Sequence, residues 1–254
     1  MTGPSGIALP PGAKLHAHKA LDSTNAEALR RLSEGARPLT VIWAREQTAG
    51  RGRDGRAWAS PPGNLYATLL AGVPPGRAPA QAAFVAALAA GDAILALCPE
   101  GCDLRYKWPN DILVAGRKAG GILIEGGACG TGKEVLAIGI GINVESAPQG
   151  TPWPATCLRA EGPVEATVAA LLERLIAAFA ARAETWRTEG FAGLGADWLA
   201  RAFGLGDALR VRLPGGAAFD GTFRGLDADG ALLLDQGAQG VRRIAAGDVM
   251  LATR

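Results

Sequence analysis

The chain has 254 residues, enough for one large domain or one large and one small, and for a full hydrophobic core. Hydrophobic residues make up 48% and charged residues 20%, which excludes a disordered chain, although much of the apolar fraction is alanine and overstates the real core volume. A formal net charge of +2 excludes a general nucleic-acid binder, so any phosphate chemistry is local.

Cys98, Cys102, Cys129 and Cys157 lack the paired short spacings of a zinc site and read as free thiols. The N-terminus has no basic region leading into an apolar run. The longest alanine-rich stretch, 80–98, is broken by Gln81, Gly91 and Asp92. Neither a signal peptide nor a transmembrane helix is predicted, and a reducing cytoplasm is the expected compartment.

In chain order, residues 1–13 are a Gly/Pro-rich loose end. His16 and His18, the only histidines, alternate with apolar neighbours as strand residues rather than metal ligands. Asp22-Ser23-Thr24-Asn25 opens a helix, with Thr24-x-x-Glu27 at capping-box spacing, Leu29 and Leu32 at core spacing and Gly35 at its end. Those polar residues are either caps alone or a helix N-terminus that holds a polar ligand atom. Leu39–Ala44 reads as a buried strand that ends at the loop Gln47–Trp58. Gly50-x-Gly52-x-x-Gly55 matches the dinucleotide fingerprint only as a string: Pro61-Pro62 prevents the helix, and no acid ends a second strand about 20 residues on. Three arginines interleaved with three glycines and closed by Trp58 favour a ligand loop over a solvated turn, since glycine backbone approaches phosphate closely and arginine brings bidentate charge.

Asn64–Ala71 is a predicted strand and 78–97 a core helix, with Phe84, Leu88, Gly91 and Leu95 in period. Leu104–Trp108 is a strand, Pro109 keeps Trp108 extended, and Asn110-Asp111 stands at the turn, where it either serves a hydrated magnesium ion or only turns the chain. Ile112–Val114 and Ala119–Glu125 flank a hairpin turn at Ala115-Gly116-Arg117-Lys118. Gly127-x4-Gly132-Lys133 resembles a P-loop, but Glu134 replaces the Ser/Thr that magnesium needs, so a turn between strands is expected. Glu134–Ile142 is a strand that ends at Asn143, whose amide suits an adenine edge or a strand-end turn. A Pro-rich loop at 147–154 precedes an amphipathic helix, Val164–Thr188, with Val168, Leu171, Leu172, Leu175, Ile176 and Phe179 facing the core. After Phe203-Gly204-Leu205-Gly206, short strands at 208–213, 217–226, 231–235 and 239–244 predict a small barrel.

The ordered set Asp22–Asn25, Gln47–Trp58, Asn64-Leu65, Lys107–Asp111, Arg117–Glu125 and Gly139–Asn143, with Gly230–Leu234 and Ala246–Val249, resembles the biotin–protein ligases (holocarboxylase synthetases) over nearly the whole chain. The resemblance implies an α+β fold: a mixed β-sheet catalytic domain with packed helices, class II synthetase-like, at 1–203, and a C-terminal SH3-like β-barrel at 204–254. Bifunctional members carry an N-terminal winged helix-turn-helix. A ligand motif beginning at Ser23 leaves no room for one, so the short form is expected, with no specific DNA binding and no membrane association. Monomer and homodimer both stay open.

The resemblance also implies the chemistry. Biotin carboxylate attacks the α-phosphate of ATP, giving biotinyl-5′-AMP and pyrophosphate. A lysine of a biotin carboxyl carrier domain then attacks the acyl carbon. Ser23, Thr24 and Gln47 would hold the ureido end of biotin with Gly50 and Arg51 backbone, and Asn25 and Gly52 belong to the same set. Lys118 would bridge biotin carboxylate and α-phosphate, with Arg53 on the same charges; these two are the catalytic candidates. Trp58 and Asn143 would frame adenine. Lys107, Asn110 and Asp111 fall to the ATP side, and Asp111 to Mg2+. Residues 50–57 are expected to form a mobile lid latched by Arg53. The alternatives are a lipoate–protein ligase-like acyl-adenylate transferase and a biotin-responsive binding protein without enzymatic activity.

Overall fold

A computed structural model describes residues 6–98, 100–128, 134–162 and 167–251. The chain runs β1 (Lys14–Leu21), α1 (Thr24–Ser33), β2 (Thr40–Gln47), β3 (Leu65–Gly72), α2 (Ala82–Leu95), β4 (Leu104–Lys107), β5 (Asp111–Val114), β6 (Arg117–Ala128), β7 (Glu134–Ile142), α3 (Val168–Thr188), α4 (Phe191–Leu199), then β8 (Ala208–Arg212), β9 (Ala218–Leu226), β10 (Leu232–Asp235), β11 (Val241–Ile244) and β12 (Asp248–Leu251). The first seven strands form one sheet in the order β1-β2-β3-β7-β6-β5-β4. It is mixed: β1 and β2 run parallel, and the other neighbours are antiparallel. The last five strands form an antiparallel sheet, β11-β10-β9-β8-β12, the expected SH3-like unit. The fold class is therefore α+β, as expected. Among the described residues no helix is long and apolar enough to cross a membrane.

Side-chain alternation along the central strands sorts residues onto two faces. Leu136, Ile138, Ile140 and Ile142 of β7 and Leu65, Ala67 and Leu69 of β3 join the large core under α2, α3 and α4. Val135 and Ala137 of β7, Leu70 of β3 and Ile42 of β2 face the other way and pack under α1 through Ala28 and Leu32. Helix α1 is short, so it covers only part of that second face. The part beyond its N-terminus stays open.

The structure departs from the sequence reading in several places. Ser23 caps α1, its side chain accepting from Ala26 N, and Thr24 is already helical. Glu27 consequently pairs with Arg30 and Arg31 instead of closing a capping box. The β5–β6 turn is only Ala115-Gly116, both at positive φ, so Lys118 belongs to β6. The Trp108–Pro109 peptide is cis. Helix α4 and strand β12 were not anticipated. Most of the P-loop-like turn (129–133) and residues 163–166 at the expected start of α3 lie outside the described residues.

The C-terminal sheet docks on the strand that leads into the site. Tyr106 N donates to Arg201 O, and Phe203 N donates to Tyr106 O at 2.7 Å. The Trp108 indole N–H donates to Gly230 O at 3.1 Å, and Gln81 Nε2 to Ala228 O at 2.8 Å. Helix α2 approaches Tyr106 across Gly91, where a Cβ would lie 2.0 Å from the phenol oxygen. Gly91→Ala is expected to lower stability by about 1–3 kcal/mol through overpacking. Gly193→Ala, on an open helical position, is expected to raise it by about 0.5–1 kcal/mol. Urea denaturation midpoints of the two variants check both signs.

Candidate active site

The open part of the second face becomes a cavity of about 510 Å³. Its floor is glycine. Gly121 of β6 and Gly139 and Gly141 of β7 occupy the positions that alternate with buried isoleucines. A Cβ at Gly141 would come within 2.8 Å of the Trp58 indole, one at Gly121 within 3.2 Å, and one at Gly139 within 2.3 Å of Asn25 Oδ1. Trp58 therefore lies directly on backbone. Its Nε1 is buried without a partner among the described residues, which leaves a donor for a ligand acceptor.

Strict alternation would send Lys118 to the opposite face from Gly121. A β-bulge prevents this. Ile112 pairs with Gly120 and Leu113 with Lys118, so Ala119 is an extra residue and the alternation resets. Ala119 sinks into the core, and Lys118 stands over the glycine floor, its Nζ 5.4 Å from the Trp58 ring centroid. Asp111, opposite Gly121, accepts from Lys118 Nζ at 2.5 Å and lies 3.6 Å from Lys107 Nζ. Lys107 is buried, and its ammonium rests 4.7 Å from the Trp153 ring centroid. Burial pushes the Lys107 pKa below the usual lysine value; Asp111 opposes the shift and Lys118 adds to it. Asp111 is thus a bridge between two ammoniums. Among the described residues no group of three or more His, Cys, Asp or Glu is placed to hold a metal ion by itself.

The Gly/Arg loop is folded into a turn. Gly52 N donates to Arg56 O at 2.7 Å, Trp58 N donates to Gly50 O at 2.9 Å, and residues 53–55 make one 3-10 turn. A Cβ at Gly50 would lie 2.5 Å from Trp58 O, so this closure requires glycine. Arg53 NH1 donates to Asn110 Oδ1 and Gly247 O, both at 3.2 Å.

At the other end, α1 is wired to the loop. Gln47 Oε1 accepts from Thr24 N at 2.8 Å and Thr24 Oγ1 at 3.1 Å, while Gln47 Nε2 donates to Ser60 Oγ. Asn25 donates to Glu125 at 2.8 Å and accepts from Thr68 at 2.6 Å, and Arg51 pairs with the same Glu125. Thr24, Gln47, Arg51, Gly52, Arg53 and Lys118 line the cavity; Ser23, Asn25 and Gly50 do not. Of the nucleotide-side candidates, Trp58, Lys107, Asn110, Asp111 and Asn143 line it as well. Asn143, however, spends its amide on Thr156 O at 3.0 Å and Lys118 O at 3.5 Å, which ties residues 154–156 alongside β6.

Sequence reasoning missed Tyr66, Trp153, Arg212 and Asp248, all of which line the cavity. Trp153 sits in the Pro-rich loop, where its aromatic character was the only local signal; Arg212 and Asp248 arrive from the C-terminal sheet.

A cation-lined cleft on the mixed sheet is thus met by the smaller C-terminal sheet. A model of the biotin/lipoate A/B protein ligase family matches residues 18–144, and one of the biotin protein ligase C terminal domain matches residues 204–251. The chain belongs to the biotin protein ligase family. It is similar to the biotin–[acetyl-CoA-carboxylase] ligase of Paracoccus denitrificans, 41% identical over 90% of this chain and 96% of that protein. The enzyme of the same name from Mycobacterium tuberculosis is 37% identical, over 90% and 85%. In structure, the biotin protein ligase of Aquifex aeolicus in complex with biotin and ATP superimposes with a TM-score of 0.77 at 27% identity, covering 95% of this chain and 99% of that one.

Proposed function

We propose that this chain activates biotin with ATP to biotinyl-5′-AMP and transfers the biotin to a lysine of a biotin carboxyl carrier domain. The observation that carries the reading is the convergence of Arg53, Lys107 and Lys118 on one glycine-floored cavity. Two anions, a carboxylate and a triphosphate, must meet before the first bond forms. Fixed cations stabilise the charge that spreads over phosphate oxygens in the transition state by more than they stabilise separate substrates. Biotin lies toward Thr24 and Gln47, and adenine toward Trp58 and Trp153. Magnesium arrives with the ATP phosphates. The domains divide near residue 203, and the acceptor lysine reaches the acyl carbon over Lys118.

The direct test is incubation with labelled biotin, ATP, magnesium and a carrier domain, scoring label on the carrier. Transfer of labelled lipoate without biotin would move the assignment to the lipoate branch. Binding of biotin with no transfer would favour a non-enzymatic biotin-responsive protein.

Lys118→Ala is expected to abolish pyrophosphate formation with a smaller effect on biotin affinity, because its charge matters most when carboxylate meets phosphate. Near-normal pyrophosphate release by that variant would remove Lys118 from the role. Arg53→Gly takes away a charge-assisted contact of about 1.5–3 kcal/mol. Loss of preformed intermediate in a single-turnover chase should then quicken by about tenfold to a hundredfold.

Lys107 gives a pH signature. Because its pKa is lowered in the folded protein, it loses its proton before an ordinary lysine as pH rises toward 10.5. The folded state binds fewer protons there than the unfolded chain, so Lys107's own contribution to stability rises with pH through that window. Adenylate formation, which uses the cation, falls over the same window. Lys107→Arg keeps the charge and should shift the alkaline limb of the biotin-dependent pyrophosphate-exchange rate upward. An unmoved limb would show that Lys107 does not set it.

A further inference from the structure

Two arginines of the Gly/Arg loop meet a carboxylate that belongs to the other sheet. Asp248 opens β12, and its Oδ1 lies 3.2 Å from Arg56 NH2 and 3.6 Å from Arg53 NH1. The neighbouring carbonyl of Gly247 accepts from Arg53 NH1 at 3.2 Å. The position of Asp248 is set by its own sheet: β12 pairs with β8, Asp248 opposite Arg212, and Val249 is buried beside it. Gly247 cannot carry a side chain without conflict, since a Cβ there would lie 2.8 Å from Arg212 O. The start of β12 therefore presents a fixed acceptor pair, one carboxylate and one carbonyl, at the rim of the cavity.

We infer that Asp248 is a positioning residue for the reaction. It seats Arg53 and Arg56, so that the C-terminal sheet shapes the Gly/Arg loop, and it yields Arg53 to the nucleotide phosphate when that anion binds. The second half of this rests on the reading of the cavity as an ATP site. The Asp248 side chain is 45% exposed and that of Arg53 only 19%, so the ion pair at 3.6 Å is water-screened at one end. A phosphate between Arg53, Lys107 and Lys118 offers more acceptor oxygens in a drier place. It also repels the Asp248 carboxylate, so Arg53 changes partner while Arg56 stays on Asp248. The exchange keeps the loop arginine paired at each stage and places it within reach of the substrate charge in advance.

Hydrogen–deuterium exchange of a peptide spanning residues 50–58 tests this on the full chain. Without added ligand, Asp248→Asn should quicken its exchange by about fivefold. Asp248→Glu, which retains the carboxylate, should restore most of the protection. Adding Asp248→Asn to an Arg53→Gln/Arg56→Gln variant should change nothing further, because the carboxylate acts through those two side chains. Unchanged exchange at 50–58 in Asp248→Asn overturns the inference. So does a rise of equal size in peptides covering 208–226, which would mean that Asp248 only holds its own sheet together. Biotin and ATP should bring wild type and Asp248→Asn to the same protection. Failure of those ligands to protect the wild-type loop counts against the ATP reading, while the effect of Asp248→Asn without ligand tests the seating separately.

Discussion

The cavity depends on one constraint: a sheet face that carries no side chains along its floor. β7 alternates large and absent side chains, with Ile138, Ile140 and Ile142 filling the core and Gly139 and Gly141 leaving the other face bare. Trp58 rests on that bare strip, and Asn25 closes its far end. A methyl group at either glycine would enter the volume of one of these side chains. The bulge at Ala119 then solves a parity problem. Without it a lysine three residues before Gly121 would point into the hydrophobic core, where an unpaired ammonium is costly. With it, Lys118 and Gly121 share a face.

Bringing Lys107 and Lys118 to one cavity creates a second difficulty, since like charges at close range oppose folding. Asp111 meets it by standing between them. Position 111 is a strand start facing Gly121, so the carboxylate reaches Lys118 without crossing a side chain. Trp153 completes the enclosure of Lys107 and itself packs edge-on against Phe203 at 5.3 Å. The chain just before the C-terminal sheet thus helps to bury a cation carried by the seven-stranded sheet.

Much of this was legible in the sequence where the signal was local. Alternating and continuous apolar runs placed β2, β3 and β7 to within a few residues, and Gly/Arg spacing with its closing Trp58 marked the loop. Capping was less legible: Ser23 and Thr24 both suit an N-cap, and only the wiring of Thr24 to Gln47 decides between them. Helix α4 was hidden because Gly193 and Gly195 interrupt a short helical pattern; Gly195 is packed against Phe191. The bulge was invisible, since it exists only relative to a partner strand. Trp153 and Asp248 were missed for the same reason. Each matters through a neighbour far away in the chain, and no periodicity encodes such a meeting.

The strand β4 shows why the two sheets cannot be treated as independent modules. Tyr106 exchanges backbone hydrogen bonds with residues 201 and 203, and its ring stacks on Trp198 at 5.9 Å. Lys107 follows immediately, and Trp108 then anchors to Gly230. Three consecutive residues therefore bind the chain leading into the C-terminal sheet, carry a cation that lines the cavity and bind that sheet itself. Gly230 is close-packed as well, since a Cβ there would meet Phe84 of α2 at 2.5 Å. Any shift of the C-terminal sheet must move β4 or break these contacts, and moving β4 moves Lys107. The same sheet also reaches Arg53 through Gly247. The C-terminal sheet thus holds the cavity wall at two points, next to the strand that bears Lys107 and at the loop that bears Arg53, so the spacing between these two cations depends on both sheets.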